Sequence, residues 1–321
     1  MKPDHETLIV GAGFSGIGAA IMLDKAGLGD YRIIEAADGP GGTWYWNTYP
    51  GIAVDIPSFS YQFSFEQSPD WSRTYAPGHE LRAYAEHCVD KYGLRPRIRF
   101  NTTVRGVRFE EADDLWRVEL DSGEVLTGRF LINGSGILTT PNLPDIDGVD
   151  SFGGVTIHTA RWDHGQDLTG KRVAIIGTGA SAVQVIPAIA AEVERLTVFQ
   201  RTPIWCFPKA DRPISVRQQR AMRIPGGKSV QRLISQAYVE LTFPLVTQYF
   251  TVNPTVKHMA EAGKSYLKRQ VRDPVVREKL TPRYAVGCKR RPSTTPTCRR
   301  STATTSSWSP TRSTRSPARA W

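Results

Sequence analysis

The stretch TLIVGAGFSGIGAAIMLDKAGLGDYRIIE, residues 7–35, decides the fold. Thr7–Val10 is a short apolar run that reads as a strand. Gly11-Ala12-Gly13-Phe14-Ser15-Gly16 follows as a turn, and Ile17, Ala20, Ile21 and Leu23 then recur at helical spacing up to Gly27. A second strand, Tyr31–Ile34, leads into Glu35, which stands 24 residues after the first glycine. A GxGxxG string alone is a weak signal. Between a strand and a helix, with an acid at the end of the next strand, it is the dinucleotide-binding arrangement. Gly11, Gly13 and Gly16 allow a tight turn and close backbone approach, a pyrophosphate fits the helix amino terminus, and the Glu35 carboxylate accepts hydrogen bonds from a ribose.

The unit recurs. Arg172–Ile176 reads as the strand, Gly177-Thr178-Gly179-Ala180-Ser181-Ala182 as the turn, with Gly177, Gly179 and Ala182 at the three small positions. Leu196–Phe199 is the next strand and runs into Gln200-Arg201-Thr202. Counted from the first glycine, Arg201 falls at the place of Glu35. A carboxylate there suits a ribose with free hydroxyls, and an arginine suits the additional phosphate of NADP. The two units together point to a flavoprotein that holds FAD on the first and takes NADPH on the second. Short strands over 97–133 complete the first domain, and residues 213–280, with Val256, Met259, Ala260, Tyr266, Leu267 and Val271 at helical spacing, form a helical insertion in the second.

Composition bounds the remaining classes. With 40% apolar and 22% charged residues over 321 positions, the chain is neither collagen-like nor wholly disordered. The most apolar region, Ala237–Val252, is interrupted by Glu240, Pro244 and Gln248, which excludes a membrane span there. The polar start, Met1–Thr7, does not read as a signal peptide. Cys88, Cys206, Cys288 and Cys298 show neither CxxC nor metal-ligand spacing, which suits a reducing cytoplasm and no metal site. The net charge is +10, and six of the 41 basic residues lie in 291–321 without any acid, so nucleic acid is not the expected partner.

A longer motif stands between the two units. Phe152-Gly153-Gly154-Val155-Thr156-Ile157-His158-Thr159-Ala160-Arg161-Trp162-Asp163 matches FxGxxxHxxxW(P/D), and the chain also carries Gly41-Gly42-Thr43-Trp44, Tyr49-Pro50-Gly51, Asp55 and Gly287-Cys288-Lys289-Arg290. In these motifs, over Met1–Arg290, the chain resembles the type I Baeyer–Villiger monooxygenases. Read alone, His158 is a linker histidine and Asp55 a turn or strand-edge residue. The resemblance implies an α/β fold of two Rossmann-like domains, an FAD domain (1–145) and an inserted NADP domain (168–290), joined by a linker (146–167). In that linker Phe152, Gly154, His158, Trp162 and Asp163 act as a hinge. It implies FAD contacts at Gly42, Thr43 and Trp44 and NADP contacts at Gln184, Thr202 and Lys289. Arg290 would stabilise the negative charge on a flavin peroxide that attacks a ketone, or oxygenates a sulfide, with Asp55 orienting that arginine. The resemblance also implies dioxygen as co-substrate. Trp162-Asp163 favours this reaction over that of the related amine- and sulfur-oxygenating flavin monooxygenases, whose fingerprint ends in a different aromatic.

The tail 291–321, RPSTTPTCRRSTATTSSWSPTRSTRSPARAW, contains no Val, Ile, Leu, Met, Phe, Tyr, Asp or Glu and is expected to be disordered. With GC-rich synonymous codons and one cytosine restored after the Arg290 codon it becomes PALHDAYLPTFNRDNVELVTDPIDEV, a continuation with strand and turn patterning. The tail is therefore read as a frameshift in a fold whose C-terminal part is missing. The chain as written is expected to be inactive as an oxygenase, and a non-catalytic flavin-binding fragment is the alternative.

Overall fold

The computed structural model describes residues 2–247, 255–286, 293–294 and 304–306. They divide into two compact units, Met1–His164 with Arg212–Leu233, and Gly165–Asp211 with Ile234–Trp321.

The first unit contains β1 (His5–Val10), α1 (Phe14–Lys25), β2 (Tyr31–Ile34), α2 (Thr43–Trp46), α3 (Gly78–Lys91), β3 (Ile98–Arg99), β4 (Val104–Glu110), β5 (Leu115–Leu120) and β6 (Val125–Asn133). The strands form one sheet in the order β3-β2-β1-β6-β5-β4. β3, β2, β1 and β6 are parallel, whereas β5 and β4 run antiparallel. The register places Val10 between Ile34 and Asn133, so three parallel strands end side by side where α1 begins. Such a carboxyl edge is where open α/β sheets bind ligands.

Position in the sheet explains the strand sequences. Leu8 and Ile9 of the central β1 are fully buried, as a strand covered on both faces requires. The edge strand β4 is mostly exposed and carries Arg105 and Arg108, which discourages pairing with a further strand. α3 buries Leu81, Tyr84, Ala85, Cys88 and Val89, the spacing of a single helical face. That face packs into one core with Ile17 and Ile21 of α1 and with Ile9 and Ile33. Burial pushes the Cys88 thiol up to about 11, so it behaves as a packing residue.

A loop rich in aromatic residues lies over α3. Phe14, Tyr61, Phe63, Trp71 and Tyr84 form ring contacts with centroids 5.5–5.9 Å apart. Glu66 pins this loop. Its carboxylate accepts from Lys91 Nζ at 2.7 and 2.9 Å and from the Tyr92 hydroxyl at 3.0 Å, and it meets His87 Nε2 at 3.2 Å. The Tyr84 hydroxyl donates to the Glu66 carbonyl at 2.6 Å. Burial alone would raise the Glu66 pKa, but the donors outweigh it and hold the carboxyl below its ordinary value.

The second unit opens with β7 (Arg172–Ile176), α4 (Ala180–Ile189), β8 (Arg195–Phe199) and β9 (Phe207–Pro208). β7 and β8 are parallel, in register from Arg172 and Arg195 to Ile176 and Phe199. The helical stretch expected over 213–280 is present as α5 (Val216–Arg223), α6 (Gly227–Thr247), α7 (Thr255–Gln270) and α8 (Pro274–Leu280). It is not one insertion in the second unit, because Arg212–Leu233 belongs to the first. The reason is a set of bonds from that segment to the aromatic loop: Thr74 N donates to the Arg212 carbonyl (3.0 Å), Ile214 N to the Ser72 carbonyl (2.8 Å) and Gln219 Nε2 to the Trp71 carbonyl (3.2 Å). In the second unit Trp205, Phe207 and Val286 form a small core with Met259, Ala260 and Tyr284.

The tail differs from expectation where it is described. β10 (Ser293–Thr294) pairs with β9, and β11 (Thr304–Ser306) pairs with β8, both in parallel. Pairing with an open strand edge uses backbone groups and needs no apolar side chain, and threonine favours the extended backbone. The rest of 291–321 lies outside the described residues. Among those residues no helix is long and apolar enough to cross a membrane.

Because the folded Glu66 carboxyl titrates below its ordinary value, the stability it contributes is present above the unfolded pKa, near 4.5, and is lost as pH falls through the folded one. Glu66→Gln should therefore lower the urea midpoint at pH 7 by more than it does at pH 3. Equal losses at both values would show that Glu66 acts by shape alone.

Candidate functional site: two glycine turns

The first turn forms where β1 meets α1. Gly11 has a φ of +91°, and a Cβ built on it would lie 2.6 Å from the Gly134 carbonyl oxygen. On Gly16 a Cβ would come within 1.9 Å of the Gly11 carbonyl oxygen, so helix and strand meet at a distance only glycine permits there. Gly42 approaches Gly13 from the other side, where a Cβ would stand 2.9 Å from the Gly13 Cα, and Gly41 N donates to the Ala12 carbonyl at 2.9 Å. The turn is therefore walled by backbone from two distant stretches of sequence, around Gly41–Gly42 and at Gly134.

Glu35, only 5% exposed, reaches this turn with its side chain. One carboxylate oxygen accepts from Ala12 N at 2.6 Å and the other from Ala37 N at 2.8 Å. The side chain thus ties the glycine turn to the end of β2. A carboxylate offers about four acceptor positions, so two remain for ribose hydroxyls.

Gly42, Thr43 and Trp44 stand together at the start of α2, with Trp44 Nε1 3.3 Å from the Tyr61 hydroxyl and the two rings edge to face. Asn47 Nδ2 donates to the carbonyls of Thr43 and Leu138, which joins α2 to the loop after Gly134. Asp55 is half-buried, one residue after Val54, whose amide donates to the Ala76 carbonyl at 3.0 Å. Its expected partner Arg290, with Lys289, lies outside the described residues.

The fingerprint segment is part of the first unit through His164 and not a separate linker. Phe152 is exposed, and its ring folds over Gly154, where a Cβ would meet it at 2.6 Å. His158 Nδ1 accepts from Ala160 N at 3.1 Å and so caps the short helical turn Thr159–Arg161. Arg161 stacks on the Trp46 ring at 3.8 Å and donates to the Thr139 carbonyl at 2.8 Å. Trp162 is half-buried and Asp163 exposed. In these contacts the histidine shapes backbone.

The second turn repeats the first. Gly177 has a φ of +102°, and its amide donates to the Phe199 carbonyl at 2.8 Å, as Gly11 N does to Ile34 at 2.7 Å. Gly13 and Gly179 share one conformation, φ −76° and −72° with ψ −175° in both. Ala182 is buried at the third small position, and Gln184 lies half-buried on α4.

Strand register corrects one expectation. Val10 pairs with Ile34 and Ile176 with Phe199, so the residue equivalent to Glu35 is Gln200 and not Arg201. The second unit is one residue shorter between first glycine and strand end, a difference that counting from the glycine conceals. Arg201 is the next residue and is exposed, while Thr202 is tied to the turn through the Thr178 hydroxyl, which donates to its carbonyl at 3.2 Å.

The helices at these two turns start unlike α5 and α8. Neither α1 nor α4 has a side-chain cap or an acid in its first turn, whereas Ser215 caps α5 and Asp273 caps α8. Uncapped first-turn amides, aided by the helix dipole, suit an anion such as a pyrophosphate. The residues present therefore fit dinucleotides at both turns. The sequence reading passed over Gly134 and the Glu35 bond to Ala12. The Asn133-Gly134-Ser135-Gly136 string after a strand was the available signal for the former.

Gly11→Ala meets both an unfavourable φ and the Gly134 carbonyl, whereas a Cβ on Gly177 meets nothing within 4 Å and faces only the φ cost, about 1–2 kcal/mol. Gly11→Ala should lower the melting temperature more than Gly177→Ala. Equal losses in thermal unfolding would contradict the tighter packing of the first turn.

Residues 8–243 match the pyridine nucleotide-disulphide oxidoreductase family. A Baeyer-Villiger monooxygenase of Streptomyces coelicolor is 42% identical over 284 residues, covering 88% of this chain and 54% of that protein. One from Pseudomonas aeruginosa is 41% identical over 88% of this chain and 53% of its own length. Among solved structures, OTEMO in complex with FAD and NADP superposes with a TM-score of 0.85 at 33% identity, over 96% of this chain and 66% of that one. Cyclohexanone monooxygenase from Rhodococcus sp. Phi1 bound to NADP+ gives 0.81 at 32% identity, over 94% and 64%. The chain thus spans about half the length of the curated relatives it matches. With its fingerprint and its two glycine turns, it belongs to the pyridine nucleotide-disulphide oxidoreductase family and, within it, to the type I Baeyer–Villiger monooxygenases.

Proposed function

We propose that this chain serves an FAD- and NADPH-dependent Baeyer–Villiger oxygenation of ketones, with FAD at the first glycine turn and NADPH at the second. The observation that carries the reading is the pair of matching turns, each before an uncapped helix, with Glu35 at one ribose-facing strand end and an uncharged Gln200 followed by Arg201 at the other. FAD reduced by NADPH supplies the activation of dioxygen.

The chain's own residues bind and orient. First-turn amides of α1 and α4 meet the pyrophosphates, and Glu35 accepts ribose hydroxyls while keeping the Ala12 amide fixed. A carboxylate at that place repels a ribose phosphate, whereas Arg201 attracts one. The buried ring of Trp44 stands edge to face with Tyr61, two residues after the Gly42 that meets the first turn. His158 holds the fingerprint turn in shape. In this reading Asp55 and Arg290 act at the oxygenation step, the arginine as a fixed positive charge.

Because the chain spans about half the length of the curated relatives named above, binding and oxygenation are measured separately. Purified chain is expected to retain FAD, and anaerobic NADPH is expected to bleach its flavin absorbance faster than NADH at equal concentration. Flavin bleached equally by both would contradict the second site. Oxygenation is measured on a version extended to the length of those relatives, since the chain as written is expected to be inactive: turnover in air with a ketone and a tertiary amine side by side should give ester or lactone, and an N-oxide alone would contradict the ketone assignment.

A further inference from the structure

Three hydrogen bonds stitch the loop leaving β8 to the segment at the end of α8. The Gln200 side-chain amide donates to the Lys279 carbonyl, Trp205 Nε1 donates to the Tyr284 carbonyl, and the Tyr284 hydroxyl donates back to the Pro203 carbonyl, each at 2.9 Å. Between them lies a cavity of about 420 Å³, lined by Thr202, Glu278, Lys279, Thr281, Arg283 and Tyr284 among others. Thr202 is the residue tied to the second glycine turn through Thr178, and Arg201 directly precedes it. The cavity therefore sits at the strand end where the second turn reads a ribose.

Its charges are unequal in what they leave available. Arg283 is shared with Glu278 at 3.6 Å, whereas Lys279 has no acidic partner among the described residues. The Thr281 hydroxyl donates to the Arg277 carbonyl at 2.7 Å, so it can accept but not donate toward a ligand. The Arg283 guanidinium keeps N–H donors of its own but has its charge offset by Glu278, so the Lys279 ammonium is the lining cation with no acid beside it among the described residues, and the Thr202 hydroxyl stands with it. Because Gln200 fixes the Lys279 backbone, only the lysine stem must be ordered on binding, which lowers the entropic cost.

We propose that Lys279 is a specificity-determining residue for the phosphate on the adenosine ribose of NADPH, acting from this cavity beside Arg201. The proposal rests on the second turn being the NADPH site. A phosphate monoester is close to dianionic at neutral pH and gains from an ammonium with three donors, whereas the neutral ribose of NADH gains nothing from it. The uncharged Gln200 is part of the same device. A carboxylate at its position, as Glu35 is in the first unit, would repel that phosphate and could not donate to the Lys279 carbonyl.

The test is calorimetry on the full chain with three probes: 2′,5′-ADP, 5′-ADP and inorganic phosphate. Lys279→Met should weaken 2′,5′-ADP by about fivefold, as an exposed charge pair allows, and leave 5′-ADP unchanged, the latter also showing that the variant is folded. Lys279→Arg should keep the affinity, and so should Lys268→Met, which removes an exposed lysine from α7 of the same unit. Unchanged 2′,5′-ADP binding in Lys279→Met, or an equal loss for both nucleotides, would overturn the proposal. Inorganic phosphate bound by the wild type as tightly as 2′,5′-ADP would also overturn it, as the mark of a free-phosphate site. A wild type that does not prefer 2′,5′-ADP over 5′-ADP defeats the NADPH reading itself, separately from the role of Lys279.

Discussion

In both units the sharp passage from strand to helix rests on two conditions: the first turn residue adopts a left-handed φ, and its amide finds a partner on the neighbouring strand. Gly11 and Gly177 meet both conditions, bonded to the carbonyls of Ile34 and Phe199. The remainder of each unit is arranged around that constraint. β1 is buried on both faces, α1 packs closely because Gly16 carries no side chain, and the carboxyl ends of three parallel strands frame the place where a dinucleotide would lie. The helix amino termini stay uncapped, although this chain caps α5 and α8.

The two turns are fastened differently, and the difference matches their proposed ligands. In the first, an anionic side chain bonds two backbone amides, and the turn is sealed further by Gly42 and Gly134. In the second, the Thr178 hydroxyl reaches the Thr202 carbonyl and the Gln200 amide reaches Lys279, so the same mechanical task is performed without a negative charge. An acid that also stabilises the turn suits a tightly held cofactor with free ribose hydroxyls. Neutral fastenings suit a ligand that brings its own phosphate.

Much of this architecture was legible in the sequence because its signals are local. Glycine spacing, the apolar strand before it and the acid after it report directly on backbone geometry, and Thr7–Val10, Tyr31–Ile34 and Arg172–Ile176 read as strands for that reason. What escaped depends on contacts between distant segments. Gly134 stands 123 residues after Gly11 and only the sheet brings them together. The Glu35 bond to Ala12 depends on the depth at which β2 ends. Arg201 was placed one residue off because the second unit's connection is shorter by one, and only strand register reveals it. The described part of 213–280 holds α5 to α8, but periodicity cannot tell which unit a helix packs against, and Arg212–Leu233 sides with the first.

The central claim is that Glu35 holds the first turn in its binding shape before any ligand arrives. Hydrogen exchange of the Ala12 amide, in ligand-free wild type and in Glu35→Gln, tests it most directly. A hydrogen bond to a charged acceptor is worth about 1.5–3 kcal/mol, so the substitution should accelerate exchange at Ala12 by roughly ten- to hundredfold while α3 stays protected. Unchanged protection of the Ala12 amide would show that the turn holds its shape without the carboxylate.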